Sequence, residues 1–218
     1  MASAANQRKS HLARAESKSN EAPRPVQLGP FGQSLVRFRE GPFGQSERTL
    51  LLRAVADLDP NEGLVTLDSR DRSTITGPEW RRLVGYVPAE PGWWAGTVGE
   101  HFGEWTAALA FVRDLGFPDE AKAWPITRLS TGERLRLALV RALMMRPKVL
   151  LLDEPTAALD VASVAAVEAL IDARMRAGLA VLWVTHDAEQ GKRVAHRLLV
   201  VEAGQVREEA PEWTVISP

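Results

Sequence analysis

Residues 148–160 read KVLLLDEPTAALD, and the step inside that run from four aliphatics to two adjacent carboxylates constrains the fold most. Val149, Leu150, Leu151 and Leu152 are apolar at every position rather than at alternate ones. That pattern belongs to a strand covered on both faces, as in a parallel sheet packed between helices. Ligand chemistry in such sheets gathers at the carboxyl ends of the strands. Asp153 and Glu154 therefore stand where a magnesium ion and a reacting water would be handled. A strand that ends in solvated acids is the plainer alternative.

The rest of the chain alternates in the same way. Short strands are expected at 35–39, 64–67 and 83–87, with a helix at 49–58. Residues 98–115 read as helical, and 130–145 as a strong helix closed by Pro147. After the strand at 149–152 come a helix at 161–177 stopped by Gly178, a strand at 180–185, a helix near 189–195 and a strand at 198–201. Strands and helices in alternation predict an α/β fold, a mainly parallel sheet with helices on both faces.

Composition narrows the function classes. The chain has 218 residues, 45% of them hydrophobic, which is enough for one compact domain with at most a small subdomain. A formal charge of −1 gives no bulk attraction to nucleic acid or a membrane surface. There are no cysteines, hence no disulfide and no thiolate metal site. No apolar run approaches the roughly 18 residues of a membrane span. Residues 1–25 are small, polar and basic, with Arg8, Lys9, Arg14, Lys18 and Arg24, and are expected to be a disordered tail before a domain at 26–218. The tail lacks the apolar middle of a secretory signal. One hexapeptide, GPFGQS, stands at 29–34 and again at 41–46, too brief for a solenoid repeat.

Three further motifs sit around the strand exits. LSTGE at 129–133 opens the helix of 130–145. Its Ser130 and Glu133 have the spacing of a capping box, and the same free helix-start N–H groups suit a phosphate. VLWVTHD at 181–187 puts His186 just past a buried strand, beside the strand that ends in Asp153 and Glu154. There a phosphate-sensing role outweighs a structural one. LVGYVPAEP at 83–91 supplies a proline-bounded loop after another strand.

In this order the motifs resemble those of the nucleotide-binding subunits of ABC transporters, over about residues 41–205. LSTGE is similar to the family signature, which implies that Ser130 and Gly132 contact the γ-phosphate held by the opposite protomer. LLLDEP is similar to the Walker B segment, which implies Asp153 for magnesium, through water, and Glu154 as catalytic base. AALD at 157–160 resembles the D-loop along the dimer interface, ending at Asp160. His186 resembles the switch histidine that orients the attacking water. The resemblance implies a P-loop NTPase-like sheet with a small helical subdomain at about 90–146. It also implies ATP and Mg2+ as ligands, and two subunits, as a homodimer or heterodimer, sandwiching two ATP molecules. The expected further partner is a transmembrane permease, with the chain cytoplasmic and peripheral on the inner face of the membrane.

The phosphate cradle departs from the family pattern. A P-loop needs G-x-x-x-x-G-K-[ST]: glycines curl backbone N–H groups around phosphate, lysine neutralises charge and the hydroxyl meets magnesium. Residues 41–49 read GPFGQSERT. Aligned without a gap, Gly41 and Gly44 are kept, Ser46 replaces the last glycine, Glu47 the lysine and Arg48 the hydroxyl residue. Shifted by one, Arg48 takes the lysine position and Thr49 the magnesium position, with Glu47 where glycine belongs. In either register a carboxylate enters the cradle. At an effective dielectric near 20, a charge pair at about 4 Å is worth roughly 4 kcal/mol as an upper guide. Repulsion of that order removes up to several orders of magnitude in affinity. Two smaller departures accompany it. Ala89 replaces the expected glutamine after the strand at 83–87, and the adenine-stacking aromatic is absent from its place, Phe31 and Phe38 being the substitutes at hand. The N-terminal β-layer reads as shortened.

Two readings follow. One is an ABC-type ATPase subunit with an impaired cradle. The other is a non-catalytic dimer partner that lends its signature and D-loop to a competent homologue. A soluble ABC ATPase of repair or translation would carry a coiled-coil insertion or a second cassette, and neither is here. Trp93 and Trp94 read either as an aromatic cap on the helical subdomain or as an exposed docking patch.

Overall fold

The computed structural model describes residues 36–37, 45–202 and 205–209. The basic segment 1–25, Phe31, Phe38, Gly41 and Gly44 lie outside the described residues. In chain order the elements are β1 (Val36–Arg37), α1 (Gln45–Val55), β2 (Thr66–Leu67), β3 (Arg70–Asp71), α2 (Gly77–Leu83) and β4 (Val84–Val87). There follow α3 (Trp105–Asp114), α4 (Thr131–Met144), β5 (Val149–Asp153), α5 (Val161–Arg176), β6 (Ala180–Val184), α6 (Ala188–Val194), β7 (Arg197–Glu202) and β8 (Gln205–Glu209).

β5 is the middle strand of a parallel trio, β4-β5-β6, with Val87 opposite Leu152 and Asp153 opposite Val184. β1 runs alongside β6 and pairs in parallel with β7, which pairs antiparallel with β8. The unbroken apolar run of β5 has its explanation in two cores. Leu150 and Leu152 pack with residues of α3, α4 and α5 on one face, while Val149 and Leu151 pack with Leu52 of α1 and Trp80 of α2 on the other. Leu150, Leu151 and Leu152 are fully buried, each worth about 2–3 kcal/mol relative to exposure. The α/β architecture, a parallel sheet flanked by helices, is thus set by strands with no polar face.

Several elements differ from the sequence expectation. The helix expected at 49–58 starts earlier, at Gln45, and ends at Val55. Asp57 takes φ 58°, and Leu58 N–H bonds back to Arg53 O at 2.9 Å, so the chain turns left-handed and leaves the helix. The helix expected over 98–115 is broken. A short 3-10 turn spans Gly99–His101, Phe102 and Glu104 are extended, and α3 begins only at Trp105. His101 holds that break: its Nδ1–H donates to Thr97 O, and its Nε2 accepts the backbone N–H groups of Trp94 and Ala95. The strand expected at 64–67 shrinks to Thr66–Leu67 in a tight hairpin, where Asp68 and Ser69 both have positive φ. α2 was not expected, because seven residues with Trp80 as the one buried side chain give no readable period. Its start is nonetheless written as a capping box between Thr76 and Glu79 followed by Pro78. The strand β8, rich in charge, was also not foreseen.

Candidate nucleotide site at the strand exits

The two carboxylates end β5 at the carboxyl edge of the sheet, and both are buried, 5% exposed each. Asp153 Oδ2 accepts the Thr49 hydroxyl at 2.8 Å and the Tyr86 hydroxyl at 3.1 Å. Burial, and then the negative charge of Asp153, push the Tyr86 phenol above its ordinary pKa, so it stays a donor. Glu154 sits at φ 50°, and its N–H is tied to Val184 O at 3.0 Å. A non-glycine residue in the left-handed region stores strain, and here it turns the side chain toward the exit of β6. Glu154 Oε2 meets His186 Nδ1 at 2.8 Å, while Oε1 is buried without a partner. A carboxylate only accepts, so the imidazole proton in this contact is on Nδ1.

Asp153 thus offers a hard-oxygen set, one carboxylate flanked by two hydroxyls. Among the described residues no cluster of three or more histidines or acids could cage an ion. That donor chemistry fits magnesium, which takes one or two carboxylates and leaves its other positions to phosphate and water.

Arg48 lies in the first turns of α1, 5% exposed, next to the Thr49 that bonds Asp153. Its guanidinium makes no hydrogen bond or ion pair among the described residues. Glu47 is half-buried one residue earlier. In the shifted register Arg48 is expected at the lysine position and Thr49 at the magnesium position, and Thr49 is the residue that bonds Asp153.

A second group forms around the start of α4. Ser130 is exposed and closes a capping box with Glu133, whose Oε2 accepts the Ser130 N–H at 2.8 Å. Gly132 is buried, and a Cβ there would come within 2.9 Å of Ala158 O and of Leu159. The glycine is required because the 157–160 loop packs directly on the helix start. Asp160 caps α5, accepting from the N–H and hydroxyl of Ser163, and the backbone donor first of all holds its carboxyl below the usual range. No hydrogen bond joins Ser130, Gly132 or Asp160 to the Asp153–Glu154 group among the described residues. The first group faces the strand exits, and the second leaves Ser130 open at the surface.

The ABC transporter family profile matches residues 46–157, just over half of the chain. The chain belongs to the ABC transporter family. A cobalt import ATP-binding protein of Rhodobacter capsulatus is 35% identical over 205 residues, covering 86% of this chain and 72% of that protein. An aliphatic sulfonates import ATP-binding protein of Agrobacterium fabrum is 36% identical over 185 residues, covering 81% and 68%. Among solved structures, a dimeric ATP-binding cassette in a post-hydrolysis state bound to ADP and Pi superposes with TM-score 0.71 at 25% identity, covering 88% of this ABC chain and 93% of that one.

The sequence reading missed Tyr86, although GYV at 85–87 placed a hydroxyl at the exit of β4. It also missed the buried pairing of Thr156 with Gln190, for which no sequence signal existed. Trp93 packs against the core, whereas Trp94 is 72% exposed. The Arg141 guanidinium lies 4.7 Å from both ring centroids, and burial lowers its pKa. Trp94, Arg141, Met145 and Pro88 line a groove of about 360 Å³ beside the exit of β4.

Proposed function

We propose that this chain is the ATP-binding subunit of an ABC transporter, coupling ATP binding and hydrolysis to transport through a separate membrane permease. The observation that carries the reading is the convergence of Thr49, Asp153, Glu154 and His186 at the exits of two parallel strands. In this assignment Arg48 lies against the phosphates as the cradle cation, and Gly41 and Gly44, outside the described residues, are assigned to nucleotide binding. Asp153 and Thr49 would hold magnesium, whose charge would offset that of the phosphates when bound. Glu154, with one oxygen on His186 and the other free, accepts the proton of the attacking water. His186 orients the γ-phosphate. Ser130, Gly132 and Asp160 serve the nucleotide bound by the other protomer. Residues 26–218 are then the ATPase domain, with a helical subdomain over about 90–146.

Glu47 is the discordant residue, since it brings negative charge to a site for triphosphate. Its presence favours a second reading in which this cradle binds weakly and the chain acts chiefly as a signature-lending partner. The permease is assigned to the groove beside Trp94, which offers an apolar seat rimmed by Arg81 and Arg141. No helix among the described residues is long and apolar enough to cross a membrane, and the assignment gives the pore to a separate permease. The names of the relatives support import as the direction, and attachment at the cytoplasmic face follows from the same assignment.

Sedimentation of a Glu154→Gln variant with and without ATP tests the assignment. Nucleotide-dependent dimerisation of the chain alone is the expected result. A monomer at saturating ATP that dimerises only with a homologue bearing a complete P-loop would overturn the first reading in favour of the second.

A further inference from the structure

The loop that carries Glu154 and the loop that carries His186 are joined twice. One join is the Glu154–His186 contact itself. The other lies just behind it: Thr156 Oγ1 donates to Gln190 Oε1 at 3.1 Å, between residues two and four positions further along the two segments. Gln190 is 1% exposed and Thr156 9%. The far side of the amide is also fixed, because Gln190 Nε2 donates to Glu168 Oε1 at 3.0 Å. Arg193 in turn donates to both oxygens of Glu168. A carboxylate cannot donate, so the amide has one orientation, its oxygen toward Thr156 and its NH2 toward Glu168.

This bond is one of the few anchors of the switch segment, with Val194 packing half-buried against the core at the far end of α6. α6 has only seven residues, and its buried positions are Gln190 and Gly191, so Gln190 is its one buried side chain. His186, two residues before that helix, has a side chain 53% exposed. Little packing holds the imidazole, and its direction is left to the backbone that Asp187 and Gln190 tie down. Asp187 caps α6 at Glu189 and Gln190. The side chain of Gln190 then docks that capped helix onto the loop after Glu154.

We infer that Gln190 is a positioning residue that keeps His186 on Glu154 by clamping the start of α6 to Thr156. Its place in a catalytic cycle rests on the functional assignment above, but the clamp itself does not need nucleotide. The network also transmits displacement. A shift of residues 157–160, which the assignment puts at the dimer interface, moves Thr156, and through Gln190 it moves the histidine.

The test is nitrogen-15 NMR of the histidine side chains in the full chain at a pH where His186 is neutral, with His186→Gln used to assign its signals. In the natural chain the His186 proton is expected on Nδ1. Gln190→Leu and Thr156→Val, which cut the clamp from opposite sides, are each expected to lower the ratio of Nδ1–H to Nε2–H tautomer by about tenfold, the size of coupling seen within one hydrogen-bonded network. The double variant is expected to add little. Gln190→Glu, which faces Glu168 with a second carboxylate, is expected to have at least the effect of Gln190→Leu. A His186 signal unchanged in folded Gln190→Leu and Thr156→Val would overturn the inference. If the chain binds no nucleotide while the tautomer ratio moves as stated, the functional assignment fails and the clamp stands.

Discussion

The strand exits and the first turns of α1, which we assign to the phosphate cradle, are joined by the hydrogen bond from Thr49 to Asp153, yet they are built differently. At the exits both carboxylates are buried, Asp153 accepting from the Thr49 and Tyr86 hydroxyls and Glu154 from the His186 imidazole. In the cradle the residues at 47 and 48 carry opposite charges, and the buried cation Arg48 has no partner among the described residues. Asp153 is the last residue of β5, and the Glu154 N–H is tied to Val184 O of β6. The difference supports the reading in which the cradle has diverged while the sheet-edge carboxylates keep their contacts.

Substitutions can push this contrast either way. The largest effect is expected at Glu154. In a Glu47→Lys background, Glu154→Gln should slow phosphate release by about 10²–10⁴, the range for a lost general base, while nucleotide affinity stays within about twofold. An equal loss of affinity and rate would mean that Glu154 belongs to the binding half of the site. Next comes Glu47→Lys by itself, which exchanges repulsion for attraction. It should tighten ATP binding by about 10²-fold in equilibrium dialysis. Unchanged affinity would mean that Glu47 points away from the phosphates and that the two halves are equally sound.

The smallest effect concerns acid. Asp160 and Asp187 cap α5 and α6, and backbone N–H donors, from Ser163 and Gln190 respectively, are the main cause of their lowered pKa values. A carboxyl with a folded pKa below its unfolded value adds stability that is fully present above the unfolded pKa. That stability is lost as pH falls through the folded value. Melting temperature should therefore decline below about pH 4. Asp160→Asn with Asp187→Asn, which keep a capping oxygen without the charge, should flatten part of that decline. An identical pH profile in the double variant would remove both caps from the account.

The fold and half of the site could be read from the chain because they rest on patterns that repeat or on neighbours in sequence. A strand apolar at every position, LLLDEP at its end and S-T-G-E at a helix start each announce themselves locally. Tyr86, Gln190 and the broken helix at 98–115 could not be read in that way. Tyr86 matters only because β4 lies beside β5, and Gln190 matters only because α6 comes to rest 34 residues from Thr156. The break at Phe102 depends on His101 capturing two backbone N–H groups from the tryptophan loop, a contact that no period encodes. Each is a tertiary hydrogen bond, specified by how elements meet rather than by what they are made of.

We propose that Arg48 serves as the cation of the cradle in this nucleotide site. Titration calorimetry with ATP and magnesium on the natural chain and on Arg48→Ala tests it most directly. The account predicts measurable binding by the natural chain and a loss of at least about tenfold in the variant, in line with removal of a charge-assisted phosphate contact. Binding that is absent in the natural chain at millimolar nucleotide, or unaffected by Arg48→Ala, would contradict it.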